Sequence, residues 1–155
     1  KTFILQLNFI TSYKNMPYQV YAEWADTTTN GNVDGISYSH YIYTDGYYQH
    51  GYPLAHAIGG DGEMVSVGGD IRFDLMNRLS GRALYAKVNQ SGRLTNFAFP
   101  ENDKIKAVDL TWTHYIKPTI PLKINGWVAD SDLNGNDAGL SLGVELPLEK
   151  AMFGF

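Results

Sequence analysis

Thr44 to Gly62 reads TDGYYQHGYPLAHAIGGDG, a stretch that follows neither a strand nor a helix period. Its side chains are those of saccharide contact. Tyr47, Tyr48 and Tyr52 offer aromatic faces to the C–H surface of a sugar ring, while Asp45, His50, His56 and Asp61 offer donors and acceptors to its hydroxyls. Tyrosine is also enriched at membrane interfaces, so a girdle role competes for the same residues. A connection this long is usually functional or disordered, and its aromatic content argues against disorder. His50, His56 and Asp61 invite a metal reading as well, but their spacing matches no zinc pattern. Asp130-Ser131-Asp132-Leu133-Asn134-Gly135 opens like a calcium loop, yet Ser141 stands where the bidentate glutamate belongs. A plain Asp/Asn/Gly hairpin fits that stretch better, and the sequence assigns neither a metal nor a cofactor.

A second group of side chains is ionic. Asp70, Arg72 and Asp74 alternate along one strand face, with Arg82, Lys87 and Asp109 expected across the sheet. Such a ladder either satisfies itself as a salt-bridge network inside a lumen or lines a path for an acidic polymer. Catalytic signatures are missing: no Gly-x-Ser-x-Gly elbow, no phosphate loop and no His-Glu-x-x-His. A pair of carboxylates for glycoside hydrolysis is a three-dimensional property that sequence does not decide.

The elements that must position these groups are strands. In Glu63 to Val88, the residues Val65, Val67, Gly69, Ile71, Phe73 and Leu75 alternate with Ser66, Gly68, Asp70, Arg72 and Asp74. A period of two means one apolar and one polar side. Met76 to Leu79 reads as the reversal, and Leu84, Ala86 and Val88 return on the apolar side, opposite Tyr85 and Lys87. A helix over Arg72 to Tyr85 is the rival, but Gly81 and its polar neighbours break the apolar stripe. Strands are also predicted at Phe3 to Ser12, Tyr18 to Ala25, Ile36 to Tyr43, Lys104 to Ile116, Leu122 to Ala129 and Ala138 to Leu148. The chain reads as about eight antiparallel strands with no helix.

Composition bounds the setting. A net charge of −4 gives no basic patch and argues against nucleic acid as a partner. The chain has no cysteine, hence no disulfide framework, and no apolar run as long as a membrane-spanning helix. The decision between a soluble β-sandwich and a membrane barrel rests on strand and loop lengths. Several strands exceed the usual five or six residues. Short turns at 77–79 and 117–121 alternate with long loops at 44–62, 89–103 and 130–137, as in an up-and-down transmembrane β-barrel. On its lipid side a mid-depth arginine costs roughly 2–4 kcal/mol, so the ionic face is expected to look into a wet lumen. One connection strains this scheme, since counting back places Thr27 to Gly35 among the short turns.

Longer runs carry a resemblance. They are Tyr21-Ala22-Glu23-Trp24-Ala25-Asp26, Tyr43-Thr44-Asp45-Gly46-Tyr47-Tyr48, His50-Gly51-Tyr52-Pro53-Leu54 and Gly59-Gly60-Asp61-Gly62. Gly68 to Asp74, Asp109 to Tyr115 and Met152-Phe153-Gly154-Phe155 continue them. Together they resemble the Wzi family of capsule-assembly outer-membrane proteins, over essentially the whole chain. The resemblance implies a barrel of about eighteen strands with periplasmic helices. It implies an outer-membrane lectin, not an enzyme, that holds capsular polysaccharide at the bacterial surface, with outer-membrane lipid around it. By size the chain corresponds to the C-terminal part, so residues 1–155 are expected to form one barrel region of a longer chain. A barrel-embedded hydrolase acting on lipid or glycan, or a diffusion pore, are the competing functions.

Overall fold

The computed structural model describes residues 3–14, 16–29, 38, 48–50, 52–92 and 96–146. Strands β1 (Phe3–Tyr13) and β2 (Met16–Asp26) are followed by the two-residue strands β3 (Tyr48–Gln49) and β4 (Tyr52–Pro53). Then come β5 (Glu63–Arg72), β6 (Asn77–Val88), β7 (Asp103–Lys117), β8 (Ile120–Ser131) and β9 (Gly135–Val144). All strand pairs are antiparallel. The main sheet has seven strands in the order β1-β2-β5-β6-β7-β8-β9, and β3 and β4 form a separate ribbon.

Because β2 pairs directly with β5, residues 27–62 form one long connection at a single end of the sheet. Of the expected strand at Ile36 to Tyr43, the structure describes Tyr38 alone. Tyr38 sits in a turn, and the remainder of that segment lies outside the described residues. This eases the strain noted above, since the chain leaves β2 through Thr27 at the long-loop end, where Thr27 meets Gly62. The expected loop at 130–137 also shrinks, because β8 and β9 run on to leave a turn of three residues, 132–134. Asp130 faces Asn136 within the ladder, so no calcium loop forms there.

Register decides which residues share a face, since directly opposed residues point the same way. Val67 lies level with Ala22 on β2 and Ala83 on β6, and Ala83 with Val108, Val128 and Ala138. The next row on that side joins Val20, Gly69, Gly81, Leu110, Gly126 and Leu140. This open face leaves Val67 51%, Leu110 55%, Leu142 71% and Leu140 80% exposed. Trp24, Tyr85, Tyr18 and Trp112 lie on the same face at the margins of the aliphatic rows. The opposite, covered face carries Gln19, Asp70, Ser80, Thr111, Asn125 and Ser141 in one row.

The apolar core is small and lies at the long-loop end of the covered face. Ala25, Ala86 and Val88 meet Ile58 of the loop there, with Met64, Leu84, Phe99 and Ile105 around them. This corrects the phase expected for β6. Leu84, Ala86 and Val88 turn toward the loop side, and Ala83, Tyr85 and Lys87 share the open face with Val67. The reason is local: near the loops the covered face also needs apolar side chains, because the loops must be buried against something.

At the other end, the β5–β6 reversal comes at 73–76, earlier than predicted, and Asp74 closes it. Its carboxylate accepts from Met76 N–H at 2.6 Å, Asn77 N–H at 2.8 Å and the Asn77 side-chain amide. Asp74 therefore caps a turn and does not continue the ladder. The Asn77 amide, then the Met76 N–H, hold its carboxyl below the ordinary aspartate range. Because the folded value is depressed, the cap is at full strength above the usual aspartate pKa and weakens as pH falls through the lower folded one. The amide resonances of Met76 and Asn77 should titrate with a midpoint below that of a free aspartate. A midpoint at or above it would remove the cap.

Candidate functional site

The long-loop end is built as a set of clamps between two loops and the sheet. Thr27 and Gly62 pair through their backbones at 2.8 Å, and the Thr27 hydroxyl accepts from Gly62 N–H at 2.9 Å. Asp61, buried and at positive φ, accepts from Ser91 N–H at 2.6 Å, while its own carbonyl accepts from Gln90 N–H. Asn96 is buried and joins both loops. Its amide donates to the carbonyls of Ile58 at 3.1 Å and Gly60 at 2.7 Å, and its oxygen accepts from Ala98 and Phe99 N–H. One side chain thus meets four backbone groups, two buried carbonyls and two part-buried N–H groups.

His56 ties the long loop to β2. Its Nε2 lies 3.0 Å from Glu23 Oε1, and its side chain is only 10% exposed. Ile58 N–H points at Nδ1 from 3.4 Å, which favours the tautomer with the proton on Nε2, donated to Glu23. His56 N–H also donates to the hydroxyl of Tyr38, a residue only 3% exposed.

Of the expected saccharide contacts, His56 and Asp61 are therefore committed to holding the loop. Tyr52 stands 76% exposed on β4, and His50 is exposed at positive φ in the β3–β4 reversal. Tyr48 contributes its backbone to β3, pairing with Pro53. Asp45 and Tyr47 lie outside the described residues. The structure does not gather His50, His56 and Asp61, and no group of three metal-ligating side chains occurs among the described residues. What the loop end presents is a small aromatic hairpin on a clamped base.

The ionic ladder is partly as expected. Arg82 Nε reaches Asp109 Oδ2 at 3.2 Å on the covered face. Asp70 pairs at 3.2 Å with Arg78, a residue assigned beforehand to a turn, and Arg72 is exposed one step further along. Lys87 is not on this face; it meets Glu63 at 4.0 Å on the open side, at the loop-end margin. Lys104–Asp132 and Lys106–Asp130 extend that rim across β7 and β8.

Two covered-face aromatics went unread in the sequence. A Cβ on Gly68 would come within 2.5 Å of the Tyr21 ring, and one on Gly139 within 2.6 Å of the Trp127 ring. Each ring therefore lies over a cross-strand glycine, a contact set by register that no local spacing announces.

Comparison with known proteins agrees with this arrangement. A family model for the capsule assembly protein Wzi matches residues 6–141. An uncharacterized 55.8 kDa protein in the cps region of Klebsiella pneumoniae is 39% identical over 96 residues, covering 61% of this chain and 19% of that protein. Among solved structures, Wzi of Escherichia coli is described as an outer membrane protein involved in group 1 capsule assembly and a carbohydrate-binding β-barrel. It matches with a TM-score of 0.81 at 34% identity, over 94% of this chain and 33% of that one. The chain thus spans about a fifth of the first relative's length and a third of the second's. With the family model covering most of its residues, the chain belongs to the capsule assembly protein Wzi family.

Proposed function

We propose that this chain forms part of the wall of an outer-membrane β-barrel lectin that binds capsular polysaccharide and anchors it at the bacterial surface. The observation that carries the reading is the contrast between the two faces. Long aliphatic side chains stand bare where no loop covers the sheet, which in water would be an aggregation-prone patch and in lipid is a resting surface. Polar side chains and the clamped loops occupy the other side. The seven strands among the described residues are fewer than the eight of the smallest bacterial barrels, which fits an arc of a larger wall. Its role toward the polymer is binding, with no reaction performed on it.

The long-loop end then faces outward, and its exposed hairpin is the contact. Tyr52 supplies an aromatic plane, and the clamps at Thr27, Asp61 and Asn96 keep that plane from collapsing onto the sheet. Tyr52→Ala is expected to weaken retention of purified capsular polysaccharide by about tenfold or more, the range of an aromatic anchor. Measuring retention on immobilised protein checks this, and unchanged retention would dismiss the hairpin. Polymer length before and after incubation checks the second half of the proposal. Shortening of the chains would contradict a binding role.

A further inference from the structure

The covered face has a feature that neither the loop clamps nor the turn cap explains. At the end away from the long loops, Arg72 on β5 stands directly opposite Arg78 on β6. Like charges in directly opposed positions are destabilising. One carboxylate serves the two: Asp70 holds Arg78 at 3.2 Å, and Arg72 has no carboxylate partner among the described residues. Both arginines line a hollow of about 300 Å³, shared with Asp70, Tyr18, Gln19, Ile10 and Pro17; with Asp70 paired to Arg78, one positive charge is left over. That is the lower end of the size range for small-molecule sites, enough for one sugar ring.

The lining has the composition that a sugar acid requires. A guanidinium fork grips a carboxylate through two parallel hydrogen bonds, which no hydroxyl can match. Gln19 provides an amide for hydroxyl groups, and Ile10 and Pro17 provide an apolar wall for ring C–H bonds. An anion between the two arginines would also relieve the repulsion that the fold leaves in place.

We propose that Arg72 and Arg78 hold the carboxylate of an acidic sugar unit, in a site on the covered face remote from the Tyr52 hairpin. The proposal rests on the lectin reading above and adds to it a charge class and a second point of contact. The site selects acidic over neutral units of the polymer, and its affinity falls with ionic strength.

The test uses the folded full-length protein in detergent, with oligogalacturonate and its methyl ester as probes. The acid form should bind about tenfold more tightly than the ester at low salt. In Arg72→Gln this preference should collapse to within about twofold, and Arg72→Lys should restore only part of it, because the fork is lost while the charge remains. The thermal midpoint of Arg72→Gln should be equal to the parent's or higher, since a repulsive contact has been removed. A preference that survives in Arg72→Gln, or a clear fall in its midpoint, would overturn the assignment. Inorganic phosphate is the competing arm: displacement of the oligosaccharide by matched phosphate concentrations would reduce the pair to a plain anion site and overturn it too. Ester and acid binding equally well in the parent protein would remove this site and leave the hairpin standing. Binding of neither would remove the lectin reading itself.

Discussion

Leu110→Arg is expected to cost about 2–4 kcal/mol when the protein is folded in lipid vesicles and unfolded with urea, the penalty for arginine at mid-depth on a barrel's lipid face. Leu110 lies in the middle of the open face, level with Gly81 and Gly126, and more than half its surface is uncovered. Were that surface wet, the same substitution would fall within about 0.5 kcal/mol of neutral, as exposed changes normally do. The two settings therefore differ by several-fold in the measured quantity. Part of any loss would come from uncovering Gly81, over which the Leu110 side chain lies, and Leu110→Ala separates that share. Ser141→Arg supplies the matched comparison. It is exposed on the covered face, level with Asn125, and should shift stability little.

Asn96→Ala is the second large effect, of about 3 kcal/mol. The change removes a partner from two carbonyls and two amides at once, each worth roughly 1–3 kcal/mol if it finds no replacement, and water and remaining contacts will recover some of them. The damage should be local, because the sheet is held by its own ladders and the loops by their clamps. Hydrogen exchange at Ile58 to Gly62 should accelerate strongly while β5 to β8 keep their protection. Saccharide retention should fall with it, although Asn96 itself is buried and touches no ligand. Retained protection of Ile58 to Gly62 in Asn96→Ala would mean that the loop is held by something other than this side chain.

The strands were legible because their periods are local. Val65 to Ile71, Val108 to Trp112 and Leu140 to Val144 alternate over lengths that no helix tolerates, and pairing places them as read. What alternation does not encode is direction. Leu84, Ala86 and Val88 look like their neighbours' lipid face, yet they turn toward the loops, because a covered face needs apolar side chains wherever a loop packs on it. Lys87 follows them to the unexpected side. Asp74 continues the ladder's spacing but is captured by a reversal two residues after Arg72, since a carboxylate that can accept from Met76 and Asn77 favours the turn.

The site was legible by residue type and not by role. The Tyr- and His-rich loop stood out, but its partners are distant in sequence: Glu23 lies 33 residues from His56, and Asn96 lies 38 from Ile58. Nothing in the local spacing of Glu23 or Asn96 marks them as anchors. His56 and Asp61 drew attention as chemistry-bearing groups and turn out to serve the loop's own geometry. Tyr52 and His50, on the short β3–β4 ribbon, keep free surface.

Which face of the sheet meets hydrocarbon is directly measurable, because residues 1–155 contain no cysteine. Single cysteines introduced as Val108→Cys, Asp109→Cys, Leu110→Cys and Thr111→Cys walk along β7 and alternate between faces. In vesicles, a water-soluble maleimide should label positions 109 and 111 and spare 108 and 110. A fluorophore attached before reconstitution should be quenched by brominated lipid at 108 and 110 only. Labelling in the opposite phase, or equal labelling at all four positions, would contradict a lipid-facing aliphatic wall.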